Sequence, residues 1–428
     1  MGTFATPLSG LNAAQEQLQS VSNNLANIDT DGYKDQTLTF SDIFAQTGAT
    51  NGAGNPVQTG SGVAVSSTDS NFTEGNVNAT GTISNMAISG NGFFVTQSTS
   101  GLQGYTRAGD FTANKQGLLT TPDGDLVMGY PAVNGAVNTS AALQPLQVGS
   151  VASPAVASTT MNITANLNAD AAVGDTATSS LPVFDSLGTA HTLSITYTMT
   201  APCTWSYNVS IPSADLTPAG TGATTTVASG TMNFDTSGVL VSTQADGAAA
   251  TTAPSAGIAL TMPPTGTVFA DGAAPMAFNW NLQVGNGTPT ITQTAMASAT
   301  SATSTNGFAS GTLTTYSVGP DGTIEGTFSS GATLALGQVA VASFANTQGL
   351  VSTGNNIYEP TAASGSAVVG VAGTGGRGAI VGGSVEESNV NIATEFAKLI
   401  VAQQAYSANA KSITTFNQVS QATLAMLQ

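Results

Sequence analysis

The sequence predicts a mixed fold. A terminal α-helical coiled coil is formed by the N- and C-terminal helices, and between them sit two nested, discontinuous all-β domains. Three observations predict it. Both ends carry apolar residues at heptad spacing. The long middle carries strand-like runs broken by Asp-Gly, Asn-Gly and Pro-Asp-Gly turns. Gly, Ala, Ser and Thr dominate, and aromatics make up only 6% of the 428 residues. That composition suits strands with tight turns better than a core of large side chains.

At the N-terminal end, Phe4, Leu11, Leu18 and Leu25 share one heptad position, and Ala14, Val21 and Ile28 share the other. Thr6-Pro7 supplies a cap and a first-turn proline. The cluster Asp29-Thr30-Asp31-Gly32 supplies the stop. The spacing predicts a helix over 7–28, roughly 33 Å long at ~1.5 Å per residue. Ser20, Ser22, Asn23, Asn24 and Asn27 are weak helix formers within it.

The C-terminal end repeats the pattern. Ile392, Phe396, Leu399, Tyr406, Ala410, Ile413, Leu424 and Leu427 follow a 4–3 spacing, with Gln403, Asn417 and Ser420 in the remaining positions. Phe416 and Val419 widen the apolar face. Asn389 or Asn391 can cap the start, and Glu395 sits at the favourable end of the dipole. About 35 residues are predicted helical. Few charges are available for i,i+4 support, and isolated helices of this size are marginal in water. The two ends are therefore expected to pair and to order fully when other copies cover them, as the core of a polymer. That core is assigned to 1–30 and 386–428.

Between the helices the pattern is nested. Residues 31–70 and 364–385 are rich in Gly, Thr and Ser and read as irregular connecting arms, with short strands possible. Residues 71–145 and 309–363 read as one discontinuous inner β-domain. Hairpin signals there are Ser89-Gly90-Asn91-Gly92, Pro122-Asp123-Gly124 and Pro320-Asp321-Gly322. Residues 146–308 read as an outer, inserted β-domain. Its turns are Asp185-Ser186-Leu187-Gly188, Asp235-Thr236-Ser237-Gly238, Asp271-Gly272 and Asn286-Gly287.

Charge narrows the function. Only 7% of residues are charged, against roughly 25% in ordinary soluble domains. Net charge is −17, and the six basic residues are Lys34, Arg107, Lys115, Arg377, Lys398 and Lys411, with none from Gln116 to Gly376. Nucleic acid and anionic membrane are poor partners for such a chain. No run approaches the ~18 apolar residues of a membrane span, and residues 1–30 have no basic, apolar signal-peptide pattern.

Catalytic chemistry is not expected. Cys203 is the only cysteine and reads as a small buried apolar residue; His191 is the only histidine and reads as a strand-edge residue after the DSLG turn. Metal sites built on His and Cys are excluded by count, and no metal or cofactor is expected. Asp123 and Asp125 have calcium-ligand spacing without the remaining ligands, so a hairpin turn is the better reading. "GTGGRG" (Gly373–Gly378) matches a dinucleotide pattern, but "AIVGG" follows it where a helix would have to open. Arg107 is expected to make a structural contact, with a carboxylate on a neighbour, rather than to sit solvated.

Four stretches, in order, resemble the flagellar rod and hook family of axial proteins. They are "SNNLANIDTDGYK" (Ser22–Lys34), "MAISGNGFFVTQ" (Met86–Gln97), "YTRAGDFTANKQGLLTTPDGDLVMGYPA" (Tyr105–Ala132) and "ESNVNIATEFAKLIVAQQAYSANAKSITTFNQV" (Glu387–Val419). "LPVFDSLGTAHTLSITYT" (Leu181–Thr198) and "LGQVAVASFANTQGLVSTGNNIYEPTAASG" (Leu336–Gly365) resemble the opening and the return of the outer domain in the hook branch of that family. The resemblance is thin between about 202 and 307. It implies a structural subunit of a helical tubular polymer, a flexible universal joint passing motor torque from rod to filament, and no enzyme. It implies export by the flagellar type III apparatus without a cleaved Sec signal, to an extracellular position. Implied partners are identical subunits and the rod, hook-cap and hook–filament junction proteins. A stiff distal-rod protein of the same family and a secreted β-rich adhesin are the alternatives.

Overall fold

The computed structural model describes residues 5–43, 46–50, 56–220, 222–246, 257–285 and 287–426. Side chains are described from residue 5 to 43 and again from residue 60 onward, within those ranges. The chain forms two compact units. The first comprises Met1–Ser150, Thr315–Gly326 and Leu334–Gln428; the second comprises Val151–Thr314 and Thr327–Thr333.

Two helices belong to the first unit: α1, Ala5–Ala26, and α2, Ile392–Ala425. α1 ends where the asparagines gather. The Asn27 N–H returns to the Asn23 carbonyl, and the Asn27 side chain donates to the same oxygen at 2.9 Å. The turn that follows needs Gly32. Its φ is +69°, and a Cβ there would lie 2.4 Å from the Ala108 nitrogen. α2 opens on Asn391, whose side chain accepts from the Thr394 N–H at 3.1 Å. Of the two expected caps, Asn391 is the one used.

After the turn, the segment expected as an irregular arm forms a long antiparallel hairpin. Gln36–Asp42 pairs with Val63–Ser70, and Gln46–Thr50 with Pro56–Thr59. α1 packs against the first of these strand pairs. The other expected arm also pairs: Val368–Val371 with Thr333–Ser343, Ala379–Gly382 with Met86–Ser89, and Ser384–Glu386 with Val77–Ala79. "GTGGRG" is the turn between two of these strands, and Arg377 donates to the Val371 carbonyl across it at 3.0 Å.

The body of the first unit is an antiparallel sheet with both faces covered. Thr333–Ser343 pairs with Leu126–Val133 and Phe93–Gln97; the latter pairs with Gln103–Thr106, and that in turn with Ile357–Glu359. Strand alternation sends neighbours to opposite sides. Phe94, Val339 and Val341 join one core with Met86, Ile88 and Phe111. Phe93, Ala340 and Ala342 join the other with Tyr105 and Tyr358. Phe93 meets Phe72 and Phe344 edge-on, with centroids 5.4 and 5.7 Å away. Pro122-Asp123-Gly124 turns between paired strands as expected. Ser89-Gly90-Asn91-Gly92 does not make the expected hairpin: Met86–Ser89 pairs with Ala379–Gly382, while Phe93–Gln97 pairs elsewhere.

The second unit is a sandwich of two five-stranded sheets. One is a sequential antiparallel meander, Thr176–Phe184, Ala190–Ala201, Thr204–Pro212, Thr224–Phe234 and Leu240–Ala245. In the other, Thr160–Asn168 runs parallel to Met276–Asn281 and Ile291–Thr294 and antiparallel to Ala299–Thr305. Both contribute to one core around Trp280, Tyr197, Trp205 and Tyr207. The Asp185, Asp235 and Asp271 turns form as the sequence indicates, each aspartate accepting backbone N–H groups further along its turn. Asn286 lies outside the described residues. Cys203, at φ +61° in a tight turn, is half-buried against this core.

Gly32→Ala is predicted to cost at least about 1–2 kcal/mol from the left-handed backbone alone, with the Ala108 clash added. Urea unfolding followed by circular dichroism measures it.

Candidate functional site: the terminal helix pair and its polar joint

α1 and α2 lie alongside each other and run antiparallel. Asn24, near the end of α1, donates to Glu395 near the start of α2 at 3.1 Å. At the other end, Gly10 abuts Asn409 so closely that a Cβ would sit 2.8 Å from its side-chain nitrogen. α1 offers Pro7, Ala14, Val21 and Asn24 as buried positions. Leu11, Leu18 and Leu25 flank them half-buried, and Ile28 is half-buried just beyond the helix end. The expected N-terminal seam is thus the inward face, except that Phe4 lies outside the described residues.

The expected C-terminal seam divides. Leu399, Ala410 and Ile413 are half-buried beside the buried Glu395 and Ala402, in line along α2. Ile392, Phe396, Tyr406 and Leu424 are exposed, at 51%, 47%, 38% and 62%. Leu427 lies outside the described residues. Sequence reasoning missed Ile400 and Val401, 53% and 60% exposed. Ile392, Phe396 and Ile400 form a four-residue ladder roughly 100° around the helix from the Glu395–Ala402 line, at 3.6 residues per turn. α2 therefore buries one stripe within its own chain and presents a second, apolar stripe outward.

Where both helices meet the β-body, a buried polar joint fixes them. Glu386, wholly buried, stands 2.5 Å from the Lys34 ammonium and 3.6 Å from the Arg107 guanidinium. Its Oε1 also accepts from the Gly75 N–H at 2.8 Å, and its backbone carbonyl accepts from the Gly32 N–H at 2.6 Å. Lys34 donates further to the Thr73 carbonyl, and Arg107 to the carbonyls of Ile88 and Gly90. Burial lowers the Lys34 and Arg107 pKa values, and the Glu386 charge opposes that shift in both. The Arg107 contact expected from sequence is structural, and its carboxylate comes from the same chain.

Asparagines complete the joint. The Asn24 Oδ1 accepts from the Tyr33 hydroxyl and the Gln36 N–H, and its Nδ2 donates to the Gln36 carbonyl as well as to Glu395. Asn389 accepts from the Asp35 N–H at 2.8 Å and donates to the carbonyls of Asn71 and Thr73. Burial pushes the Tyr33 hydroxyl up to about 12, helped by Asp35 and Glu395. An open cavity of about 640 Å³ beside the α1 end is lined by Asp29, Asp31, Asp110 and Asp123 among others. Burial, then the charges of Asp110 and Glu387, raises the Asp31 pKa, and burial, with a smaller push from Asp123, raises that of Asp110.

Family models match residues 4–34 (flagella basal body rod protein), 87–167 (flagellar hook protein FlgE/F/G D1 domain), 134–308 (flagellar basal body protein FlaE D2 domain) and 381–426 (flagellar basal body rod FlgEFG protein C-terminal). The flagellar hook protein FlgE of Escherichia coli K12 is 32% identical over 97% of this chain and 98% of its own length. The chain belongs to the flagellar hook protein family. The hook protein FlgE of Treponema pallidum is likewise 32% identical, over 97% of each chain. Among solved structures, the crystal structure of the Helicobacter pylori flagellar hook protein FlgE2 is 14% identical with a TM-score of 0.48, covering 72% of this chain and 98% of that one. Hook-family membership makes this a structural protein of the flagellum.

Glu386→Gln is predicted to destabilise this hook-family chain by about 3–5 kcal/mol, because two buried cations lose their partner. Glu16→Gln, on the exposed face of α1, should stay within about 0.5 kcal/mol of the parent. Chemical denaturation of the two variants side by side measures the difference.

Proposed function

We propose that the chain is the repeating subunit of a helical tube, the flagellar hook, which bends while passing torque from rod to filament. One observation carries this reading: α2 presents Ile392, Phe396 and Ile400 to solvent although a separate stripe, about 100° around the helix, is already paired with α1. Each exposed aliphatic side chain is worth ~1.5–3 kcal/mol when covered. Copies of the same helix pair would supply that cover. The seam residues Leu11, Leu18, Val21, Leu25, Ile28, Leu399 and Ile413 then hold the pair together, while Ile392, Phe396, Tyr406 and Leu424 meet neighbours. In this reading 1–30 and 386–428 build the inner core, the segments 31–70 and 364–385 connect it outward, and the β units form the outer layers.

Torque entering through the helices would reach the β-body at the Lys34–Glu386–Arg107 joint, which ties both helix-bearing segments to the same strands. The outer unit lacks Lys and Arg, so neighbouring outer units could slide without breaking ion pairs. Rod, hook-cap and junction proteins would cover the tube's ends. Export through the flagellar apparatus to an extracellular position fits helices that are marginal alone. Near-full-length similarity to hook proteins favours this over a distal-rod protein, and the matched terminal helices favour it over an adhesin.

Two substitutions separate the stripes. Ile400→Asp changes the exposed stripe, so the free chain should keep its circular dichroism and stability but fail to polymerise in sedimentation assays. Leu18→Asp places a charge between the helices and should loosen the pair as well as block polymerisation, leaving the β units folded. Assembly of Ile400→Asp at the parental rate would contradict the proposed interface.

A further inference from the structure

The only histidine does not sit in an open strand-edge position. His191 lies at the start of Ala190–Ala201, a strand flanked on both sides, and is 3% exposed. Its Nδ1 is 3.0 Å from the Asp215 carboxylate, and its Nε2 is 3.1 Å from Oδ2 of Asp185, which is wholly buried. Phe269 stacks on the ring, with centroids 4.6 Å apart and planes at 20°. A third carboxylate, Asp271, completes the group: ligand atoms of Asp185, His191 and Asp271 all lie within 4.8 Å of one another.

We propose that His191, Asp185 and Asp271 bind a zinc-class divalent cation, with Asp215 as the residue that positions the imidazole. Three features carry the assignment. First, both ring nitrogens face carboxylates; with Nδ1–H donating to Asp215 the Nε2 lone pair faces Asp185, the arrangement that orients metal-bound histidines. In that tautomer the Nε2 and Asp185 Oδ2 atoms, 3.1 Å apart, need a proton or a metal cation between them. Ligands at ~2.1 Å around a tetrahedral ion stand roughly 3.4 Å apart, so His191 and Asp185 already have the right separation. Asp271, on an exposed turn, closes the remaining distance by side-chain rotation.

Second, the local charge is unbalanced. Three carboxylates converge in a stretch of sequence that holds no Lys or Arg from 116 to 376. A proton on Nε2 leaves two net negative charges; a divalent ion leaves one. The buried carboxylates of the first unit have basic partners: Glu386 is met by Lys34 and Arg107, and Glu395 by Lys398. Third, the Phe269 wall and the burial of Asp185 and His191 exclude water from one side, which strengthens the electrostatic attraction for a cation. A nitrogen ligand among the oxygens selects the zinc class over calcium or magnesium. The proposal departs from the expectation of no metal site, because the count of His and Cys does not bear on a site whose other ligands are carboxylates brought together by the fold.

The full-length chain is tested by equilibrium dialysis against ZnCl₂, with CaCl₂ and MgCl₂ in parallel. A single histidine gives one pair of imidazole ¹⁵N resonances, so binding is read directly. The parent is expected to take up one Zn²⁺ per chain, with the Nε2 signal shifting and Nδ1 keeping its proton. Asp271→Asn should weaken uptake at least about tenfold with circular dichroism unchanged. Cys203→Ser should bind as the parent does. The proposal is overturned if the parent takes up no Zn²⁺, if calcium binds in preference, if the ring resonances do not move, or if Asp271→Asn binds equally well.

Discussion

Both helices depend on one buried carboxylate. Glu386 lies five residues before the cap of α2, and Lys34 lies eight residues after the end of α1. Their ion pair brings the two ends of a 428-residue chain to one point on the sheet. A buried pair of this kind is no simple source of stability, since desolvating both ions is costly. Its value is geometric. Glu386 also takes the Gly75 N–H, its carbonyl takes the Gly32 N–H, and Arg107 holds two carbonyls of the Met86–Gly90 stretch. A register slip in any of these segments would strand a charge in the interior. The asparagines beside the joint follow the same logic, because each spends donors and acceptors on backbone groups that would otherwise be buried unpaired.

The rest of the first unit follows from that fixed point. Once α1 and α2 start from one place, their antiparallel pairing uses up the stripe through Glu395, Leu399 and Ala402. The ladder of Ile392, Phe396 and Ile400 is then left facing outward. A chain with so few charged residues cannot shield such a stripe with Lys or Glu side chains. Covering it with further copies is the physical outlet available, and membership of the hook family supplies the setting.

Much of this was legible in the sequence, and the gaps have physical causes. Heptad spacing located both helices to within a few residues, because period and caps are local properties. Asp-Gly turns located the sandwich hairpins for the same reason. The hairpin expected at Ser89–Gly92 failed because Met86–Ser89 pairs with Ala379–Gly382, almost 300 residues away in sequence, while Phe93–Gln97 pairs with its near neighbour Gln103–Thr106 and with Leu126–Val133. The segments expected as irregular arms are paired strands, and their partners are also remote for 364–385. The division of the α2 seam depends on where α1 lies, which no single helix reveals. Asn24 and Asn389 read as weak helix formers or caps, whereas they serve the joint. His191 reads as a strand-edge residue after its turn, whereas it opens an inner strand, and Asp215 and Asp271 converge on it only through the tertiary fold.

Hydrogen exchange by residue, on the free chain and on the assembled polymer, tests the central claim most directly. The backbone around Gly32–Gln36 and Ser384–Glu386 should exchange slowly in both states, since the joint is complete within one chain. The α2 amides should exchange much faster in the free chain and become slow only in the polymer. Equal, strong protection of α2 in the lone molecule, or rapid exchange at the joint, would contradict it.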